Sequence, residues 1–400
     1  VIGAAILIAL SALLVQADEL KLSPAFEHFY NLEYDQAIPL LREECNQRPN
    51  DPSAHNHLAT AILYREMFKV GALESELVSK SNAFLRLPKM KPTPEAGREF
   101  DDSVAKAVQL AEAQLAENPR NTDALYALGI SHGLKANYNF LVRKAWRDAL
   151  RDVTAARKLH SKVVEIDPDY IDARLTLGIH DYLVGSLPFT YRMLGFLAGF
   201  HGDREGGIRT LKMVAEKGRR NRYDAEIFLA GIYRRERRAG EAIPLLKHLT
   251  GRFPRNYLLR LEMAQMYSDM GDKQQALAAV REVEDLKKAN TPGFASLPEE
   301  KIAYYKGTIL FWYNDLDQAL VEMQRVAVKS DELDLNTGIL AWMRVGQIYD
   351  LKGKHAEAVD AYKRSIALAP ESDAAREPKR YIASPYKRTP PAPRAALITE

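Results

Sequence analysis

Cysteine is almost absent from this 400-residue chain, with Cys45 standing alone, which excludes an intrachain disulfide framework and any cysteine-rich metal site. Net charge is scarce as well. Fifty-six Lys and Arg against fifty-three Asp and Glu leave +3, too little for a global role on a polyanion. Long apolar runs are missing beyond the first seventeen residues, VIGAAILIALSALLVQA, and that run is shorter than the ~20 residues a bilayer span needs. It is followed at once by DELK, with Val15 and Ala17 where a leader peptidase reads its site. Residues 1–17 therefore read as part of a secretory signal cleaved after Ala17, which implies export to a bacterial-type periplasm or envelope. An uncleaved N-terminal anchor is the alternative.

Catalytic signatures are missing too. There is no HExxH, Walker loop, GxGxxG or GxSxG. No two of the nine histidines lie four apart, the spacing that would put a pair on one helix face. His180 and Asp181 are consecutive, so as helical neighbours they are expected to diverge. The expectation is a chain without metal, cofactor or enzymatic activity.

What the chain has is a repeat. In ILAWMRVGQIYDLKGKHAEAVDAYKRSIALAP, the residues Trp342, Gly346, Tyr349, Gly353, Ala358, Tyr362 and Pro370 occupy positions 4, 8, 11, 15, 20, 24 and 32. Small residues at positions 8 and 20 suit two closely crossing antiparallel helices, and Pro370 stops the second. The pattern resembles the tetratricopeptide repeat. Its position-20 residue recurs as Ala37, Ala107, Ala156, Gly207, Ala242, Ala276, Ala319 and Ala358, nearly regular in the C-terminal half against a period of roughly 34. The expected fold is all-α: a right-handed superhelical solenoid of about eight helix pairs over residues 18–376. Insertions interrupt it at about 69–100, 137–152 and 184–203. The closing segment from 377 to 400 is proline-rich without a helical period, and is expected to be a disordered or extended tail.

The stretch LGIHDYLVGSLPFTYRMLGFLAGFHGDREGGIRTLKMVAEKG resembles the tetratricopeptide proteins of the inclusion-body-clearance and tetratricopeptide-39 type. Leu187, Pro188, Leu194, Phe196, Gly202, Asp203, Arg204, Glu205, Gly207 and Leu211 carry the likeness. It implies a shared fold core and transfers no catalytic residue. Leu175, Ile179 and Tyr182 give the neighbouring groove wall an apolar character. The apolar insertion with Leu187, Pro188, Leu194 and Phe196 is read first as a plug over that wall. A lid over an apolar small molecule or lipid, making the protein a carrier or sensor, and a membrane-dipping helix are the alternatives. Asp203 reads as the N-cap of the helix that follows.

First helices of such a solenoid line a concave groove with positions 2, 5, 9, 12 and 13. The candidate partner-binding residues there are Arg234, Arg235, Gln265, Tyr304, Thr308, Phe311, Trp312 and Gln347. Exposed aromatics of this kind anchor peptides, although Phe311 and Trp312 could equally cap the next helix pair. Residues 204–260 hold fifteen Lys and Arg against six Asp and Glu. That excess reads as a solvated face or as a dock for an acidic protein segment or an anionic lipid. Export would exclude nucleic acid. The functional expectation is a non-enzymatic protein-binding scaffold or adaptor of the cell envelope.

Overall fold

Helix pairs repeat along the described residues of the computed structural model, which are 22–74, 89–187, 202–370 and 375–388. The pairs are α1 (Pro24–Tyr30) with α2 (Tyr34–Gln47), and α3 (Pro52–Lys69) with α4 (Pro94–Glu117). Next come α5 (Thr122–Tyr138) with α6 (Trp146–Ile166), and α7 (Arg174–Gly185) with α8 (Arg204–Lys217). α9 (Arg222–Arg235) pairs with α10 (Ala239–Arg252), and α11 (Tyr257–Asp269) with α12 (Lys273–Lys288). α13 (Glu299–Trp312) pairs with α14 (Leu316–Ala327), α15 (Leu335–Leu351) with α16 (His355–Leu368), and α17 (Arg376–Ala383) closes the series. Each helix packs on its predecessor and its successor. The architecture is the expected all-α superhelical solenoid, with eight pairs and one further helix among the described residues.

Local chemistry sets the helix boundaries. Side chains of Asp51, Thr93, Asn121, Asn256, Asp272 and Asp334 accept hydrogen bonds from backbone N–H groups of the first turns they precede, satisfying donors that have no intrahelical partner. Within a pair, the turn between the helices needs a left-handed residue at repeat position 15. Gly271 and Gly353 supply it without strain, whereas Leu32, Arg237 and Asn314 adopt the same conformation with side chains (φ 64°, 59° and 67°).

The repeat signature is a packing device. The position-20 alanines are fully or almost fully buried. Position 8 faces position 24 across the pair: a Cβ at Gly129 would lie 2.5 Å from the His160 ring, and one at Gly346 would lie 2.6 Å from Tyr362 Cδ1. His160 thus fills an aromatic slot. Its Nε2 lies 3.2 Å from the Tyr126 carbonyl oxygen, and burial lowers its pKa to about 4, so the ring is neutral.

Contacts do not stop at neighbouring repeats, as they would in a simple one-dimensional stack. The α1–α2 turn returns onto the α10–α11 turn. The Arg255 backbone N–H donates to Asn31 Oδ1 (2.9 Å), Asn256 donates to the Tyr30 carbonyl (2.7 Å), and the Arg255 guanidinium donates twice to Glu33 (2.7 and 3.0 Å). Beyond α3, the Asn336 side chain on α15 donates to the Val70 carbonyl at 2.7 Å. The first two pairs therefore lie against the C-terminal half.

Three sequence expectations need amendment or fall outside what is described. The segment after 376 is helical to Ala383, and its described residues continue to Arg388. Pro378 is tolerated because it sits in the first turn, where a backbone N–H has no helical partner, and the buried Tyr381 ring packs 5.5 Å from that of Tyr362. At the second insertion, α5 continues through a π-helical turn, Asn139–Arg143, and Lys144 reverses the chain at φ 54°. Residues 1–17 and 188–201, with Pro188, Leu194 and Phe196, lie outside the described residues. Among the described residues no helix is long and apolar enough to cross a membrane.

Candidate functional site

The first helices α7, α9, α11, α13 and α15 place their groove positions in rows, and the rows differ in access. Position 9 holds Gln265, Thr308 and Gln347, all buried. Position 12 holds Arg234 and Phe311, also buried. Position 13 stays open: Leu183 is 48% exposed and Trp312 46%, Asp269 is exposed and Arg235 half-buried.

Ties between adjacent first helices close the inner rows. Arg234 reaches from α9 to α11, where Nε donates to Asp269 Oδ2 (2.9 Å), Nη2 to Gln265 Oε1 (3.0 Å), and Nη1 lies 3.5 Å from Glu262. On α15, the buried Arg344 donates to Gln347 Oε1 at 2.9 Å and lays its guanidinium 4.2 Å from the centre of the Phe311 ring and 5.1 Å from that of Trp312. Tyr304 is enclosed in the same core, its ring at a right angle to that of Tyr305.

The accessible set is therefore smaller than the expected one. Arg234, Gln265, Tyr304, Thr308, Phe311 and Gln347 are expected on the groove, Phe311 alternatively as a cap on the next pair, and all six are buried. Arg235 and Trp312 remain accessible. On the apolar wall, Leu175 and Ile179 are half-buried against the main core, and Tyr182 is buried, with its hydroxyl donating to Glu236 at 2.7 Å. Leu187 is exposed. His180 Nδ1 and Asp181 Oδ1 lie 3.2 Å apart rather than diverging, because the short carboxylate can turn along the helix toward the adjacent ring.

The basic stretch is mostly balanced within the fold. Arg204 pairs with Glu236, Arg220 with Asp123, Arg222 with Glu226, Arg238 with Glu241, Arg252 with Glu27, and Arg255 with Glu33. Several of these acids lie far outside residues 204–260, so a count along the chain overstates the local field. Arg219, Arg235 and Arg237 make no ion pair among the described residues.

Sequence reasoning missed a buried polar cluster where the turn after α3 meets α13 and α15. Lys301 Nζ donates to Glu74, to Asp334 Oδ2 (2.7 Å) and to Thr337 Oγ1 (2.5 Å), while the Tyr305 hydroxyl donates to Glu74 Oε2 at 2.9 Å. Burial pushes the Glu74 carboxyl up to about 7. Burial alone would also raise Asp334, but Lys301 and the Thr337 hydrogen bonds hold it below its ordinary value. Asp224 on α9 accepts from the Tyr30 hydroxyl at 3.1 Å, and burial pushes its carboxyl up to about 6. A lysine at a groove position was the available signal for the first cluster. Its carboxylate partners come from other parts of the chain.

Comparison with known proteins gives three results. Residues 339–372 match the family model of the tetratricopeptide repeat. A curated relative, the BBSome complex member BBS4 homolog of Drosophila melanogaster, is 23% identical over 159 residues, covering 40% of this chain and 30% of the relative. The chain thus matches less than a third of that protein's length. Among solved structures, yeast Tom70 aligns with 14% identity and a TM-score of 0.41, over 90% of this chain and 86% of that one. YrrB, described as a tetratricopeptide protein with an unusual peptide-binding site, aligns with 12% identity and a TM-score of 0.31, over 68% of this chain and 99% of that one.

Proposed function

We propose that this chain is a non-enzymatic scaffold that holds a protein segment along the position-13 row, across the C-terminal ends of α7, α9, α11 and α13. The observation that carries the reading is Trp312, a large aromatic kept 46% exposed in the row that also holds Leu183 and Arg235. Its neighbours are pinned. The Phe311 ring lies 5.1 Å away and the Arg344 guanidinium 5.1 Å from the ring centre. A rigid, half-exposed aromatic beside a guanidinium loses little entropy on contact, the property of an interface anchor. Any acidic character of the partner would be read by Arg235 and Arg237, at and just past the C-terminal end of α9. An envelope location belongs to the same proposal and rests on the apolar run 1–17.

The test is site-specific photo-crosslinking in cells, with the photoreactive residue at position 312 or 235 and a control at Val321, which is exposed on α14. Protein adducts at 312 and 235 but not at 321 support the scaffold. Adducts of lipid alone, or equal yields at all three positions, overturn it. Fractionation of the same cells tests the location.

A further inference from the structure

After α17 the chain leaves the helix and runs extended across α13 and α15. From Pro385 on, Pro385 and Lys387 are exposed whereas Tyr386 and Arg388 are half-buried. That alternation marks a short strand-like segment anchored by every second side chain. The Tyr386 backbone N–H donates to Asp350 Oδ2 at 2.7 Å, an oxygen also held by the Tyr362 hydroxyl at 2.7 Å. The Tyr386 ring lies 6.3 Å from that of Phe311 and 5.2 Å from that of Tyr381. Arg388 donates to Asn314 Oδ1 (3.0 Å) and to the Phe311 carbonyl oxygen, and its guanidinium lies 4.8 Å from the centre of the Phe311 ring.

These contacts have the form of ligand recognition. Phe311 and Asp350 are position-12 residues of successive first helices, one of the rows that line the groove. The carbonyl of Phe311 lies in the last turn of α13, where the helix dipole favours a cation. Phe311 is buried in part because guanidiniums approach its ring, Arg344 from α15 and Arg388 from the C-terminal segment. The surface therefore selects an aromatic side chain and, two residues on, an arginine. This is opposite in charge to the acidic segment that the basic stretch suggested.

We propose that the surface formed by Phe311, Asn314, Arg344 and Asp350 is a recognition site for an extended protein segment of aromatic-x-arginine type. In this chain Tyr386 and Arg388 occupy it in cis, and a partner segment binds by displacing them. The inference rests on the scaffold reading and adds the partner's chemistry and a self-occupied resting state. Displacement is feasible because the cis segment is held by two side chains and one backbone hydrogen bond. A tethered segment nonetheless competes at an effective concentration of order millimolar, so the closed form resists weak ligands.

The probe is a labelled synthetic peptide with the sequence of residues 383–390, ASPYKRTP, titrated by fluorescence polarisation into the full chain and into full-length Tyr386→Ala/Arg388→Ala. The vacated variant should bind at least tenfold more tightly than the parent chain, and a peptide with both anchors replaced by alanine should not bind. Equal affinity for the two proteins, or no binding to the vacated one, overturns the proposal. If circular dichroism shows the double variant unfolded, Arg388→Ala alone serves, with the same direction expected and the same outcomes decisive. Failure here with position-312 crosslinks intact removes the cis-occupied site and leaves the scaffold reading standing. Loss of the crosslinks removes the scaffold reading itself.

Discussion

Tyr30 and Phe253 stack face to face, their ring centroids 4.8 Å apart and their planes 27° apart. They belong to the first and fifth helix pairs, and around them Glu27 meets Arg252 and Glu33 meets Arg255. Phe253 is fully buried, so Phe253→Ala should cost about 3–5 kcal/mol in urea unfolding. Glu33→Gln, at a partly exposed pair, should cost about 1 kcal/mol or less. A reversed ranking would mean that charge, not the aromatic stack, fastens the N-terminal pairs.

The same interface should respond to pH. Asp224 has a folded-state pKa raised to about 6, and Glu74 one raised to about 7, both above the ordinary carboxyl values near 4. At these two carboxyls the folded protein holds protons that the unfolded chain has lost between about pH 4 and 7, so their contribution falls as pH rises. His57 and His160, both lowered to about 4 by burial, contribute in the opposite direction up to about pH 6.5. Asp224→Asn removes one of the falling contributions, so its stability should rise from pH 5 to pH 7.5 relative to the change seen in the parent chain. Thermal unfolding at pH 5 and pH 7.5 in both proteins measures it, and parallel curves would remove Asp224 as the cause.

Arg237 is exposed and sits at φ 59° in the turn between α9 and α10. It makes no ion pair among the described residues, so its side chain gives little in return for the strained backbone. Arg237→Gly should stabilise the protein by about 1 kcal/mol, read as a higher urea midpoint at unchanged slope. A lower midpoint would show that the side chain matters to the fold.

Two arginines of the basic stretch should behave differently. Arg234 ties α9 to α11 through Asp269, Gln265 and Glu262, and Arg234→Ala should cost about 3 kcal/mol by leaving the buried Glu262 without its guanidinium. Arg219→Ala should stay within about 0.5 kcal/mol. Similar losses for both would contradict the assignment of Arg234 to the structural core.

The repeat frame was legible because each of its elements is local. Gly346 and Tyr362, or Gly129 and His160, must fit across one helix pair, and that requirement leaves small and large residues at fixed spacings. The position-20 alanines were readable for the same reason. Access to the groove was not. Phe311 and Trp312 are adjacent aromatics, yet one is buried and the other open; Arg344 approaches both, whereas Arg388 covers only the first. The cluster around Lys301 was equally hidden, since Glu74 reaches it from 227 residues away.

What the sequence by itself determined is the architecture: eight pairs of helices, their turns and the small-residue seams along which they cross. A helix pair closes over a few tens of residues, so its packing rules are written as a period. Only the tertiary structure decided which groove side chains face solvent, which charges are balanced, and that the first described pair and the segment after α17 pack onto repeats distant from their neighbours. Those outcomes depend on contacts such as Tyr30 with Phe253 and Arg388 with Phe311, between residues whose separation follows no period. Stacked repeats bring them together through the curvature of the whole array, which no single repeat contains.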